Sequence, residues 1–158
     1  MDNETVNTIG LLVHQLGWAT GMIMLCVTIH GLGLALLTHI VKPSDSDTRA
    51  THLPPVSVHG ILITLGIVYA LFVLHGVEIW IFAMFYRLIG ALPTIESAVY
   101  YSIISYGAIG YDDVAMQADW RVVGALEGIC GIILLGWSTA YFVRILGRID
   151  IRKRGPKS

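Results

Sequence analysis

Charge is scarce in this chain: 13% of its 158 residues are Asp, Glu, Lys or Arg, against about 25% in an ordinary soluble domain. The scarcity is also concentrated. Residues 11–41 carry no charged side chain, residues 56–86 carry only Glu78, and residues 122–143 carry only Glu127. A bilayer core about 30 Å thick is crossed by a helix of roughly 20 apolar residues. Three spanning helices follow, and a water-soluble globular domain is excluded. Basic residues are missing ahead of the first run, where Asp2 and Glu4 stand instead, so no cleaved signal peptide is expected. Cysteine is limited to Cys26 and Cys130, both inside apolar runs. They read as small buried residues, which excludes a disulfide framework. Phosphate-cradling loops, hydrolase triads and paired catalytic carboxylates are absent too, so neither an enzyme nor a nucleic-acid binder is expected.

What charge there is lies unevenly. Six of the ten basic residues, Arg144, Arg148, Arg152, Lys153, Arg154 and Lys157, follow the third run, and Lys42 and Arg49 lie between the first and second. Basic residues stay on the cytoplasmic side of a membrane. The N-terminus is therefore expected outside, with the 42–55 loop and the C-terminus inside, in a multi-pass protein of the cell membrane. Three parts result: a first helix and loop over 1–55, a second part over 56–145, and a basic tail over 146–158 held at the anionic inner leaflet.

Residues 91–119 break the pattern. Pro93 and Thr94 end one element and cap the next, and Glu96 suits a first helical turn. The spacing predicts a helix over 96–105, too short to span, followed by the turn-rich GAIGYDDVAMQAD before Trp120 opens the third run. Such a segment enters the membrane and returns to the same face. Irregular backbone at that depth persists only where protein buries it or where it lines a water-filled cavity.

Residues 100–113 read YYSIISYGAIGYDD. This stretch resembles the pore helix and selectivity filter of the bacterial potassium-channel-like pore-loop family, a two-helix channel module whose filter ends T-V-G-Y-G-D. Ala108, Ile109, Gly110, Tyr111, Asp112 and Asp113 stand at those six positions, and Tyr100, Tyr101 and Ser102 match an aromatic-aromatic-small step of the pore helix. The run LEGICGIILLGWSTA resembles the inner helix, with Gly131 at the hinge glycine, Gly136 at a second glycine and Thr139 at a cavity hydroxyl. The similarity spans about 91–143; the first helix has no counterpart in the minimal module.

The resemblance implies an all-α homotetramer that passes monovalent cations passively. Carbonyls of 108–112 would replace the water of a potassium or other cation, with no further cofactor. Ile132, Leu135, Thr139 and Val143 would line the cavity. Two departures alter the filter. Ala108 lacks the hydroxyl that completes the innermost ion position, and Asp112 replaces the second filter glycine. With fourfold symmetry, Asp112 and Asp113 ring the outer mouth with carboxylates able to attract a divalent ion. Altered selectivity is expected. A non-conducting accessory or assembly protein that keeps the fold is the alternative these departures favour.

Polar residues inside the runs are functional candidates by default. Glu127 is read either as a brace behind the filter or as a satisfied, protonated glutamate at a helix contact. His75 and Glu78, three apart on one helix face, are read as a structural hydrogen bond near the outer end of their span. Alone they offer too few ligands for a metal, so no metal site is expected. His14 and His30, like His59 and His75, are sixteen residues apart, which turns each pair to nearly opposite sides and argues against stacked haems.

Overall fold

The apolar runs form helices limited by the polar segments that the sequence places between them. The structure is a computed structural model and describes residues 2–41, 58–110 and 116–151. Helix α1 spans Asn3–Val41, α2 Val58–Leu88, α3 Ile95–Tyr106 and α4 Arg121–Ile151, with a single 3-10 turn at Ala118–Trp120 leading into α4. Among the described residues there is no strand. The 42–55 loop and the tail from 152 onward lie outside them.

Three stretches are long and apolar enough to cross a membrane: Glu4–Val41, Gly60–Leu88 and Ala118–Gly147, of 38, 29 and 30 residues. At about 1.5 Å per residue each exceeds a bilayer core, so all three tilt or project. Only 11–28% of each apolar window is buried in the chain. Val13, Leu32, Phe72 and Ile133 are among the large side chains left exposed. A surface of this kind is stable against lipid or against further protein, and the chain is a multi-pass membrane protein.

The core lies where α2, α3 and α4 meet, around Phe82, Tyr86, Tyr101, Val123, Cys130 and Leu134. Tyr86 and Tyr101 stack edge to face, with ring centroids 5.6 Å apart. Helix α1 packs on α2 and α4. A Cβ on Gly33 would come within 2.6 Å of the Leu74 side chain, so α1 and α2 approach closely there. Trp18 against Phe85, and His14 and Phe85 against Trp120, form an aromatic cluster where α1 passes the start of α4. Cys26 and Cys130 are buried and free, as their place in apolar runs implied.

Candidate functional site

Helix α3 starts and stops by local chemistry. The Thr94 hydroxyl accepts the backbone N–H of Ser97 at 3.1 Å, and the Ser97 hydroxyl accepts that of Thr94 at 3.2 Å. This reciprocal box satisfies two of the helix's open donors. At the other end the Ile109 N–H donates to the Ile104 carbonyl at 2.8 Å and the Ala108 N–H to that of Ser105 at 2.9 Å. Those two bonds are a Schellman motif, which needs a left-handed residue just past the helix. Ala108 fills the position with φ +54°, and Gly110 follows with φ +69°.

Left-handed backbone at 108 disfavours a β-branched residue there. Alanine tolerates a left-handed conformation at a cost of about 1–2 kcal/mol, and a β-branched residue is a stronger outlier there. Ala108→Gly is expected to raise stability by about 1 kcal/mol, whereas Ala108→Thr lowers it by at least that much. Denaturant unfolding of the detergent-solubilised protein, followed by helical circular dichroism, checks both.

Three glycines of α4 receive α3. Gly124, Gly128 and Gly131 share one helix face. A Cβ on each would meet the Tyr101 hydroxyl at 2.2 Å, the Ser105 carbonyl oxygen at 3.0 Å and the Tyr106 carbonyl oxygen at 2.1 Å. Gly131 lies near the middle of the third span, so α3 ends near mid-span. The position read as a hinge therefore has a demonstrated packing duty, and α4 runs unbroken through it.

Behind α3, Glu127 is fully buried. Its carboxyl group accepts from the Tyr86 hydroxyl at 2.7 Å and pairs with the Ser102 hydroxyl, which also reaches the Ile79 carbonyl at 2.9 Å. Ser102 owns one hydrogen and faces two acceptors. The set closes when Glu127 carries a proton and donates to Ser102, which donates to Ile79. Glu127 on α4 thus joins α2 and α3 through Tyr86 and Ser102.

A second buried network lies deeper. Glu78 accepts from His30 Nδ1 at 2.9 Å and from the Tyr106 hydroxyl, while His75 Nδ1 is 2.8 Å from the Tyr106 oxygen and 3.3 Å from Glu78 Oε2. The Ser138 oxygen sits 3.0 Å from His75 Nε2 and 3.2 Å from His30 Nε2. All four helices contribute. His75 falls at the middle of the Gly60–Leu88 span, not near its outer end, because its partners are at the end of α3. His30 meets His75 with ring centroids 5.2 Å apart, a pairing that spacing along single helices does not reveal.

The other expected site residues are placed as follows. Ile132, Leu135, Thr139 and Val143 are all exposed on α4, and the Thr139 hydroxyl donates to the Leu135 carbonyl at 2.9 Å. Ala108, Ile109 and Gly110 are exposed past α3. Tyr111, Asp112 and Asp113 lie outside the described residues. Sequence reasoning missed Tyr86, Tyr106, Ser138 and the α3-facing role of Gly124 and Gly128. A polar or glycine residue repeated on one face of α4 was the available signal.

Comparison with known proteins gives a likeness for part of the chain. Residues 72–148 match the model of a family described as ion channel. No curated protein and no solved structure matches the chain. The matched stretch takes in most of the second span, helix α3 and the third span, and it is similar to an ion channel module.

Proposed function

We propose that the chain is the subunit of a homotetrameric cation channel in the cell membrane, passing monovalent cations down their gradient with altered selectivity. The observation that carries this reading is the break after Tyr106. The chain leaves helical structure beside the middle of the third span, and residues 107–110 are exposed on a single subunit. In a bilayer such backbone needs protein or a water-filled cavity around it. A ring of identical subunits supplies both. The exposed stripe of Ile132, Leu135, Thr139 and Val143 is available to face the cavity below.

In that assembly the carbonyls from Ala108 to Tyr111 take the place of water around a dehydrated cation. Left-handed backbone at 108 and 110 supports the reading, because it lets successive carbonyls turn to one side. Asp112 and Asp113 set the field at the outer mouth, where a divalent ion competes. The N-terminus faces outside and the basic tail lies on the cytoplasmic leaflet.

One observation favours a second reading, a non-conducting accessory protein on the same fold. The carbonyls of Ile103, Ile104 and Ser105 are all occupied by N–H groups of residues 107–110, and Ala108 offers no hydroxyl to an ion. Cation flux into liposomes under potassium, sodium and calcium gradients separates the two. A channel gives flux that Gly110→Val abolishes, since valine does not adopt φ +69° without strain. A verified tetramer that passes none of the three ions is the accessory protein.

A further inference from the structure

The channel reading leaves the deeper polar network without a task. Both imidazoles in it present the same edge to the same partner. His30 and His75 each turn Nδ1 toward the Glu78 carboxylate and Nε2 toward the Ser138 oxygen. Ligand atoms of His30, His75 and Glu78 all lie within 4.8 Å of one another; His30 and Glu78 are fully buried and the His75 side chain is 12% exposed.

Counting hydrogens separates two ways of filling such a cluster. With no cation present, the cluster closes through opposite tautomers: His30 Nδ1–H donates to Glu78, Ser138 donates to His30 Nε2, and His75 donates Nε2–H to Ser138 while its Nδ1 accepts from Tyr106. A metal ion held by both Nδ1 atoms and the carboxylate gives a second closed arrangement, in which the two rings share one tautomer. Each ring then carries its hydrogen on Nε2, and the two lone pairs of the Ser138 oxygen accept both. A ligating histidine that donates its other N–H to a fixed acceptor is the usual support of a metal site.

We propose that His30, His75 and Glu78 form a transition-metal site of the zinc class, which ties α1 to the ion channel module. Two histidines and one carboxylate are a recognised zinc donor set, and metal–ligand bonds of about 2.0–2.1 Å put tetrahedral ligand atoms about 3.3 Å apart. The observed edges are 2.9 Å for His30 Nδ1 to Glu78 Oε1 and 3.3 Å for His75 Nδ1 to Glu78 Oε2. The Tyr106 hydroxyl, bonded to Glu78 and 2.8 Å from His75 Nδ1, lies beside the same group. Tyr106 is the last residue of α3 and Ser138 faces in from α4, so the ion would join the peripheral helix to the base of the pore loop. The sequence alone offers His75 and Glu78 on α2; the third ligand, His30, arrives only when α1 packs.

The test uses the full chain, purified in detergent without chelator, and does not depend on flux. Asp112→Asn and Asp113→Asn together form the background, so that outer-mouth carboxylates contribute nothing. Cobalt(II) is the probe. The expected result is about one cobalt per chain, with visible absorption of tetrahedral intensity and displacement by zinc. Ultraviolet bands of a cobalt–thiolate bond should be missing, because Cys26 and Cys130 are not ligands. Zinc should also raise the unfolding temperature. His30→Gln should lose the visible bands and the zinc-dependent shift while keeping its helical circular dichroism. Ser138→Ala, which retains all three ligands, should still bind one cobalt with affinity about 10–100-fold weaker. The proposal is overturned if excess cobalt gives no bands in folded protein or if His30→Gln keeps them. It is equally overturned if nitrogen NMR of zinc-treated protein finds one of the two imidazoles doubly protonated.

Discussion

Gly131→Ala is expected to separate α3 from α4 and to lower stability sharply. The added carbon would sit 2.1 Å from the Tyr106 carbonyl oxygen, 2.8 Å from its carbon and 3.0 Å from its Cα. All three are backbone atoms, so no rotamer change relieves the overlap. The Tyr106 ring is held as well, because its hydroxyl bonds to Glu78 and lies 2.8 Å from His75 Nδ1. Relief requires α3 to move as a unit and to carry residues 107–110 with it. Overpacking of an ordinary core costs about 1–3 kcal/mol, occasionally more, and a backbone clash at a fixed helix end belongs at the top of that range. Denaturant unfolding should show a less stable species. Gly136→Ala is the control: nothing lies within 4 Å of a Cβ there, so the fold of the chain should be unaffected. A Gly131→Ala protein that keeps wild-type stability would refute the packing role.

Glu127→Leu should be the other severe change, and Glu127→Gln a mild one. Leucine removes the Glu127 carboxyl group from both the Tyr86 hydroxyl and the Ser102 hydroxyl. Ser102 keeps the Ile79 carbonyl at 2.9 Å, but Tyr86 is stranded. A buried polar group left without its partner costs about 1–3 kcal/mol, and the change in side-chain shape adds to that. Glutamine reproduces the donor and acceptor pattern of a protonated glutamate. Its amide N–H donates to Ser102 and its carbonyl accepts from Tyr86, so the loss should stay under about 1 kcal/mol. The ranking is read from unfolding midpoints of the two variants beside wild type. If glutamine costs as much as leucine, Glu127 is ionised in the fold and the hydrogen count given for Ser102 is wrong.

Chain order and hydropathy made most of the architecture legible. Three long runs with at most one charged residue each were legible as spanning helices, since a helix satisfies its own backbone in lipid. The short helix was legible because Pro93, Thr94 and Glu96 mark a start by local chemistry. The structure extends it by one residue at each end, to Ile95–Tyr106. The order YYSIISYGAIG also identified the segment that leaves the helix, because glycine and turn chemistry act over a few residues. Glu127 was legible as important, being the only charge in its run, although its partners were not.

Contacts between helices were not legible, and the site depends on them. The 3.6-residue period of a helix tells which residues share a face, but gives neither the axial offset nor the rotation of one helix against another. Those two quantities bring His30 of α1 beside His75 and Glu78 of α2, and set Ser138 between both rings. They also bring Gly131 against the backbone at the end of α3. The sequence by itself determined how many times the chain crosses the membrane and where it turns back, because single side chains and their transfer energies decide those points. Tertiary structure alone decided which polar groups meet inside, because within lipid they are driven to satisfy one another and only packing fixes who is in reach.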